Sequence, residues 1–426
     1  MPDGAATSNL YRPKLATILS EGYGLGDLRR DAVAGLTVAV LALPLSMAIA
    51  VASGVSPERG LYTAIVGGFL VSALGGSRHQ IGGPAGAFIV LVAATVADVG
   101  LPGLLLTVFL SGLMLAALGL FRLGGLIRYM PHAVTVGFTA GIALTILASQ
   151  IKDLAGLTLS GAEPGPVGLK LLALAEAAST FNPAALGLGI GVAGLILWLR
   201  RVRPAWPGML LALVAATILA RFVHLPVETI GSRFGGIPHS LPAPALPVVS
   251  WDLIVRCLPA ALGFTLLGGL ESLLSAKVAD GMTGRVHRSN MELVAQGLAN
   301  VGSAVFGGIA VTGTIARTAT NIRAGARTPV SGMLHAVFLL AFMLVAAPLA
   351  SYVPLSALAG ILVVVAWNMA EKREFASLLG QWRAAAVLLA TFGVTVLHDL
   401  MSGIIAGCAV AALLWLGSRI ARRLGS

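Results

Sequence analysis

Two charged side chains stand where an apolar chain has little reason to keep them: Glu271 in GFTLLGGLESLLSAKVADG and Arg317 in TGTIARTA. A carboxylate surrounded by hydrocarbon costs at least about 2.5 kcal/mol, so it faces a wet cavity or a partner rather than lipid. Ser275, four residues after Glu271, shares its helix face. A carboxylate beside a hydroxyl can take up a proton, or hold a sodium ion together with backbone carbonyls. A guanidinium holds an anion. A simpler account has Glu271 and Arg317 pair and neutralise each other, which does not exclude a coupling role.

The remaining chemistry belongs to the backbone. Residues 81–89 read IGGPAGAFI, and residues 308–317 read GIAVTGTIAR. In both, glycines lead through a few extended residues (HQIG, IAVT) to a sharp turn and a helix. The turns fall at Gly83-Pro84 and Gly313-Thr314, about 230 positions apart. Non-helical backbone inside a bilayer must be covered by protein or line a wet cavity. A helix that starts there presents free N–H groups and a partial positive charge, which attract anions. Pro84 suits a first helical position, where the N–H it lacks has no partner anyway. Glycine next to ordinary spans is the plainer reading, but it leaves the matched placement unexplained.

No other residues suggest a reaction. The histidines (His79, His132, His224, His239, His287, His335 and His398) lack metal-ligand spacing and read as solvated or interfacial. No nucleophile stands beside a base, and no metal or cofactor is expected. Cys257 and Cys408 lie in apolar segments, where packing is the expected role.

The elements that carry these residues follow from composition. The 426-residue chain is 57% hydrophobic and 11% charged, with mean hydropathy +0.92. A soluble domain carries about 25% charged residues. The expected fold is an all-α polytopic membrane protein. Apolar segments fall near 31–53, 61–76, 84–98, 103–121, 126–150, 183–200, 207–222, 254–279, 290–305, 314–323, 329–349, 354–370, 381–397 and 400–418. That makes 14 transmembrane segments, read as two inverted repeats of seven spans. The third and tenth are half-helices, each preceded by a short extended segment. Matched interruptions in inverted halves mark a transporter's binding site. Of the 28 Lys and Arg, 21 fall on the side of the termini and six on the other, with Arg317 left over. Both termini are therefore expected in the cytoplasm, with no cleaved signal peptide. The net charge of +11 is spread between spans rather than clustered, so nucleic acid is not an expected partner.

Four stretches carry a family resemblance: DAVAGLTVAVLALPLSMAIAVASGVSPERGLYTAIVGGFL, GGPAGAF, ESLLSAKVADGMTG and TGTIARTATNIRAGARTPVSG. They resemble the SulP family, also called solute carrier family 26, over about residues 12–420. The resemblance implies a cytoplasmic segment at 1–30, then a core domain from spans 1–4 (31–122) and 8–11 (251–350). Spans 5–7 (123–250) and 12–14 (351–420) would form a gate domain, followed by a tail at 421–426. It implies an anion site lined by Pro84, Ala85, Gly86, Ala87 and Phe88, by Gly313, Thr314, Ile315, Ala316 and Arg317, and by Leu45 and Met47. Ion coupling would fall to Glu271 and Ser275; a sodium-dependent bicarbonate relative places an aspartate and a threonine there. TGTIARTATNIRAG looks most like the bacterial proton-coupled branch, which includes C4-dicarboxylate carriers. The resemblance thus implies an inner-membrane homodimer that carries a small anion (fumarate, sulfate or bicarbonate) with a proton, or with sodium. An uncoupled exchanger or channel on the same scaffold is the alternative. Family members usually continue into a cytoplasmic STAS domain; this sequence reads as a member without one.

Overall fold

The computed structural model describes residues 11–125, 131–161, 163–164, 166–204, 206–398 and 400–424. The expected start of the fifth span at 126, with Arg128, lies outside them. The N-terminal half contains helices α1 (Lys14–Glu21), α2 (Leu25–Ala52), α3 (Pro57–Tyr62), α4 (Gly68–Leu74), α5 (Ile89–Leu120), α6 (His132–Ala155), α7 (Val167–Glu176), α8 (Pro183–Val202), α9 (Gly208–Phe222) and α10 (Ile230–Phe234). The rest contains α11 (Trp251–Thr283), α12 (Ser289–Val305), α13 (Ile315–Arg323), α14 (Val330–Ala350), α15 (Leu355–Met369), α16 (Lys372–Leu379), α17 (Trp382–Leu397) and α18 (Leu400–Leu424). Two short strands, β1 (Gly82–Gly83) and β2 (Thr312–Gly313), precede α5 and α13. Among the described residues, seven helices are long and apolar enough to cross a membrane, and shorter apolar helices accompany them.

Two sets of helices pack on themselves. One places α5 along α12 and α11, and α14 along α2; the other gathers α6, α8, α15, α17 and α18. Small residues allow the first set to close up, since lipid tails give apolar side chains no reason to leave them. A methyl placed on Gly112 of α5 would lie 2.7 Å from the Gly297 carbonyl of α12; one on Gly297 would lie 2.5 Å from the Gly112 carbonyl. The α5 helix is really two, broken at Gly100 (φ 66°, ψ −175°) just before Pro102. That break is why 84–98 and 103–121 read as separate segments. Between α3 and α4 the chain passes through a π turn, Thr63–Gly67.

Outside the helical sets, α1 clasps loops at one end. Tyr11 donates to the Leu120 carbonyl at 2.7 Å, Arg288 Nη1 to the Arg12 carbonyl at 2.7 Å, and Arg78 pairs with Glu21.

Candidate functional site

The two interrupted segments meet. β1 and β2 run antiparallel with Gly82 opposite Gly313 and Gly83 opposite Thr312. Residues about 230 positions apart in sequence thus share one small sheet, and α5 and α13 both start from it. A methyl on Gly83 would lie 1.9 Å from Arg317 Nη1, and one on Gly313 would lie 1.7 Å from Gln80 Nε2. Glycine is required at both positions because a neighbouring side chain already fills the space.

Backbone this deep needs hydrogen-bond partners, and side chains supply them. On the first segment, Ser77 N–H donates to Glu292 at 2.9 Å and Ile81 N–H to Thr318 Oγ1 at 3.1 Å. Asn321 Nδ2 donates to the His79 carbonyl at 3.0 Å, and Thr314 N–H to the Ile81 carbonyl at 3.0 Å. On the second, Asn300 serves Val311 twice, donating to its carbonyl at 2.8 Å and accepting from its N–H at 3.0 Å. Gln296 Nε2 donates to the same carbonyl, while Ser303 and Thr63 hold Ile309. Ser272 Oγ accepts from Gly313 N–H at 3.1 Å and lies 2.8 Å from Thr312 Oγ1. Glu292, Gln296, Asn300 and Ser303 form a polar stripe at helical spacing on α12. The stripe is visible in SNMELVAQGLANVGS, and it is the signal through which these residues could have been found.

The expected site residues divide into groups. Pro84 and Ala85 do not begin the helix as expected: Ala85 is extended (φ −118°, ψ 146°), and Gly86–Phe88 forms a 3₁₀ turn that feeds α5. Strand pairing at Gly82 and Gly83 keeps the chain extended two residues longer than proline's helix preference suggests. Gly86 faces the other helical set, where a methyl would sit 3.7 Å from both Ile146 Cδ1 and Met369 Sδ. Ala87 and Phe88 are buried, and Phe88 meets Phe264 edge-on at 5.4 Å. Thr314 is extended, and its hydroxyl turns back to the Ile81 carbonyl instead of capping α13. Ile315 and Ala316 are exposed on the first turn, whereas Arg317 is 1% exposed.

Arg317 Nη2 donates to Ser46 Oγ at 3.2 Å; its Nε and Nη1 have no partner. Ser46 lies between Leu45 and Met47, both buried, just after Pro44 in α2. Glu271 is half-buried with Oε2 unpartnered, and it forms no ion pair with Arg317. Mutual neutralisation at contact distance is therefore not what holds these two charges. Ser275 Oγ donates to Thr318 Oγ1 at 3.2 Å, which bonds Glu271's expected neighbour to α13 instead.

The histidine reading needs correction. His132, His224 and His398 are exposed, but His335 is fully buried and His79 is 6% exposed. Both belong to the packed layer behind the crossing, which no local pattern announces. Cys257 and Cys408 are free. Apolar cavities of about 310 Å³ (near Phe69, Leu241 and Phe306) and 410 Å³ (near Gly187, Leu195 and Ala216) lie elsewhere. Neither is lined by a charged residue.

The sulfate permease family matches residues 28–392. A putative sulfate transporter, YvdB of Bacillus subtilis (strain 168), is 46% identical over 394 residues, or 92% of this chain and 74% of that protein. The bicarbonate transporter BicA of Picosynechococcus sp. (strain ATCC 27264 / PCC 7002 / PR-6) is 32% identical over 403 residues, 91% of this chain and 70% of that one. The solved transmembrane domain of a cyanobacterium BicA aligns with TM-score 0.81 at 34% identity, over 89% of this chain and 98% of that one. SLC26A9 aligns with TM-score 0.88 at 19% identity over 97% of this chain and 69% of its own, a likeness of fold alone. The chain belongs to the sulfate permease family and is a multi-pass membrane anion transporter, not an enzyme.

Proposed function

We propose that the protein is a secondary active symporter that carries a small anion with a proton by alternating access, as a homodimer with both termini in the cytoplasm. The observation that carries this reading is Arg317. A buried guanidinium with two unpartnered nitrogens, at the start of a half-helix and against Gly83 of the other, is a charge waiting for an anion. The anion sits between the turns at Pro84–Phe88 and Gly313–Arg317, with Leu45 and Met47 as walls. Residues 31–122 and 251–350 move as a core against a gate of 123–250 and 351–420. The two helical sets and the contact of Gly86 with Ile146 and Met369 support that division. Glu271 takes the coupling proton, and Ser275 fixes α11 to α13 through Thr318.

Reconstitution in vesicles tests this. Fumarate, sulfate, bicarbonate, nitrate and chloride compete for uptake with and without an inward proton gradient. The gradient should drive accumulation of at least one of them, and Glu271→Gln should abolish the drive. Gradient-independent flux unchanged in that variant would sink proton coupling and leave an exchanger or channel. The likeness to bicarbonate transporters favours a second reading, sodium-coupled bicarbonate symport. Accumulation driven by sodium at equal pH on both sides would select it.

A further inference from the structure

A buried polar face runs behind the strand crossing, where α13 meets α14. Arg317 and Asn321 lie four residues apart on α13, and Ser331 and His335 four apart on α14, so each pair shares one face of its helix. At one end the rung is closed: Asn321 Nδ2 donates to Ser331 Oγ at 2.9 Å. The next rung, Arg317 with His335, is open. His335 is fully buried and neither ring nitrogen has a partner; Arg317 Nε and Nη1 also lack one. Gln80, 3% exposed, adds an amide with both atoms unpaired. The ring reaches the crossing itself, since a methyl on Gly68 would lie 4.0 Å from His335 Cε1 and 2.8 Å from the Gly82 carbonyl. Leaving polar groups unpaired at such depth is costly. Polar sites of this kind are ordinarily completed by water.

We propose that His335 is a second proton-binding group of the transport cycle, whose protonation is set by the anion held at Arg317. The inference rests on the proton-coupled reading above. Protonating the ring beside a bare guanidinium sets two like charges together in a low-dielectric interior. An anion against the guanidinium removes that repulsion, and a ring nitrogen then takes a proton from bulk solution, relayed by water that enters the open rung. One N–H bond forms on the ring as one O–H bond of the hydronium donor breaks, leaving neutral water; nothing else is made or broken. The coupling is reciprocal, so the proton must tighten anion binding as much as the anion tightens proton binding.

Other charged groups stand on the elements around the ring. Packed on α14 are α2, α3, the π turn and α4, and α13 is bonded to it through Asn321 and Ser331. From α2 come Gly35 and, a turn away, Asp31, whose carboxylate accepts from Arg327 N–H, Thr328 N–H and hydroxyl, and Tyr23. On α3, Glu58 Oε1 accepts from Ser56 while its Oε2 has no partner, and Arg59 donates to the Gly307 carbonyl. The π turn and α4 carry no charged side chain. Arg317 stands one helical turn from Asn321 on α13, as His335 does from Ser331 on α14, so the Asn321–Ser331 bond sets the guanidinium's face of α13 toward the ring's face of α14.

Purified protein in weakly buffered detergent solution, with a pH-indicator dye, tests the idea. Sulfate, fumarate and nitrate are added in turn to wild type, His335→Gln and Glu271→Gln. Wild type should take up protons with an anion that binds, and Glu271→Gln should retain part of that uptake. His335→Gln should lose at least half of it. Its anion affinity should also change less with pH than the wild type's, which can approach tenfold per pH unit. Full uptake in His335→Gln overturns the inference, as does its complete loss in Glu271→Gln, a result that holds even if the His335 variant folds poorly. A wild type that symports while His335→Gln keeps its full pH response removes this inference alone. A wild type with no proton-driven uptake removes the symport reading as well.

Discussion

Arg317 Nη1 occupies the volume that a side chain on Gly83 would need, 1.9 Å from where a methyl carbon would be placed. The arginine belongs to the second interrupted segment and the glycine to the first, so the guanidinium fills space that the chain's other half leaves open. Gly83→Ala should push the flexible end of Arg317 aside without moving backbone. The expected outcome is at least a tenfold loss of anion uptake with a thermal midpoint within a few degrees of wild type. Uptake at the wild-type level would show that the guanidinium's position is not critical.

Gly60 is a different case, because a methyl there would lie 2.0 Å from the backbone carbonyl of Ser46. Backbone cannot swing away, so Gly60→Ala should separate α3 from α2 and cost about 1–3 kcal/mol, the usual range for overpacking. A lowered midpoint in detergent is the measurement, and reduced uptake should accompany it since Ser46 also holds Arg317.

Asn300→Leu keeps size but leaves the Val311 N–H without its acceptor. An unsatisfied buried group costs about 1–3 kcal/mol, and β2 keeps only the Gln296 bond to the Val311 carbonyl as its anchor at that residue on α12. Melting should fall by several degrees, whereas Asn300→Gln should recover part of the loss.

Tyr23 gives a pH test outside the spans. Its hydroxyl is pushed up to about 12, first by burial and then by the Asp31 carboxylate beside it. The folded state holds this proton more tightly than the unfolded chain, whose tyrosines titrate near 10. The stabilisation is therefore complete below pH 10 and drains away as pH rises from about 10 to 12. Tyr23→Phe should show a smaller loss of thermal stability across that window than wild type. Equal losses would mean that the hydroxyl is not the group involved.

Some of the architecture was legible in the letters and some was not. IGGPAGAF and TGTIAR announced two interruptions, because glycine and proline inside apolar runs have few other uses in a bilayer. Separate apolar segments at 84–98 and 103–121 matched the break in α5 at Gly100. By contrast, the first half-helix was expected from Pro84 but starts to wind only at Gly86, in the 3₁₀ turn before α5, since strand pairing with a partner about 230 positions away outweighs the preference of Pro84. Ser275 looked paired with Glu271 by spacing alone, but bonds Thr318. Spacing gives a helix face, not what lies against it.

Composition and periodicity alone determined that the chain is a mostly helical membrane protein and that Arg317 sits just inside an interrupted segment. These are local properties, fixed by the cost of leaving polar groups in hydrocarbon. Tertiary structure decided that Gly82 pairs with Gly313, that Arg317 fills the gap left by Gly83, and that His335 is sealed behind them. Those outcomes depend on contacts between distant segments, which only the packed chain brings within reach.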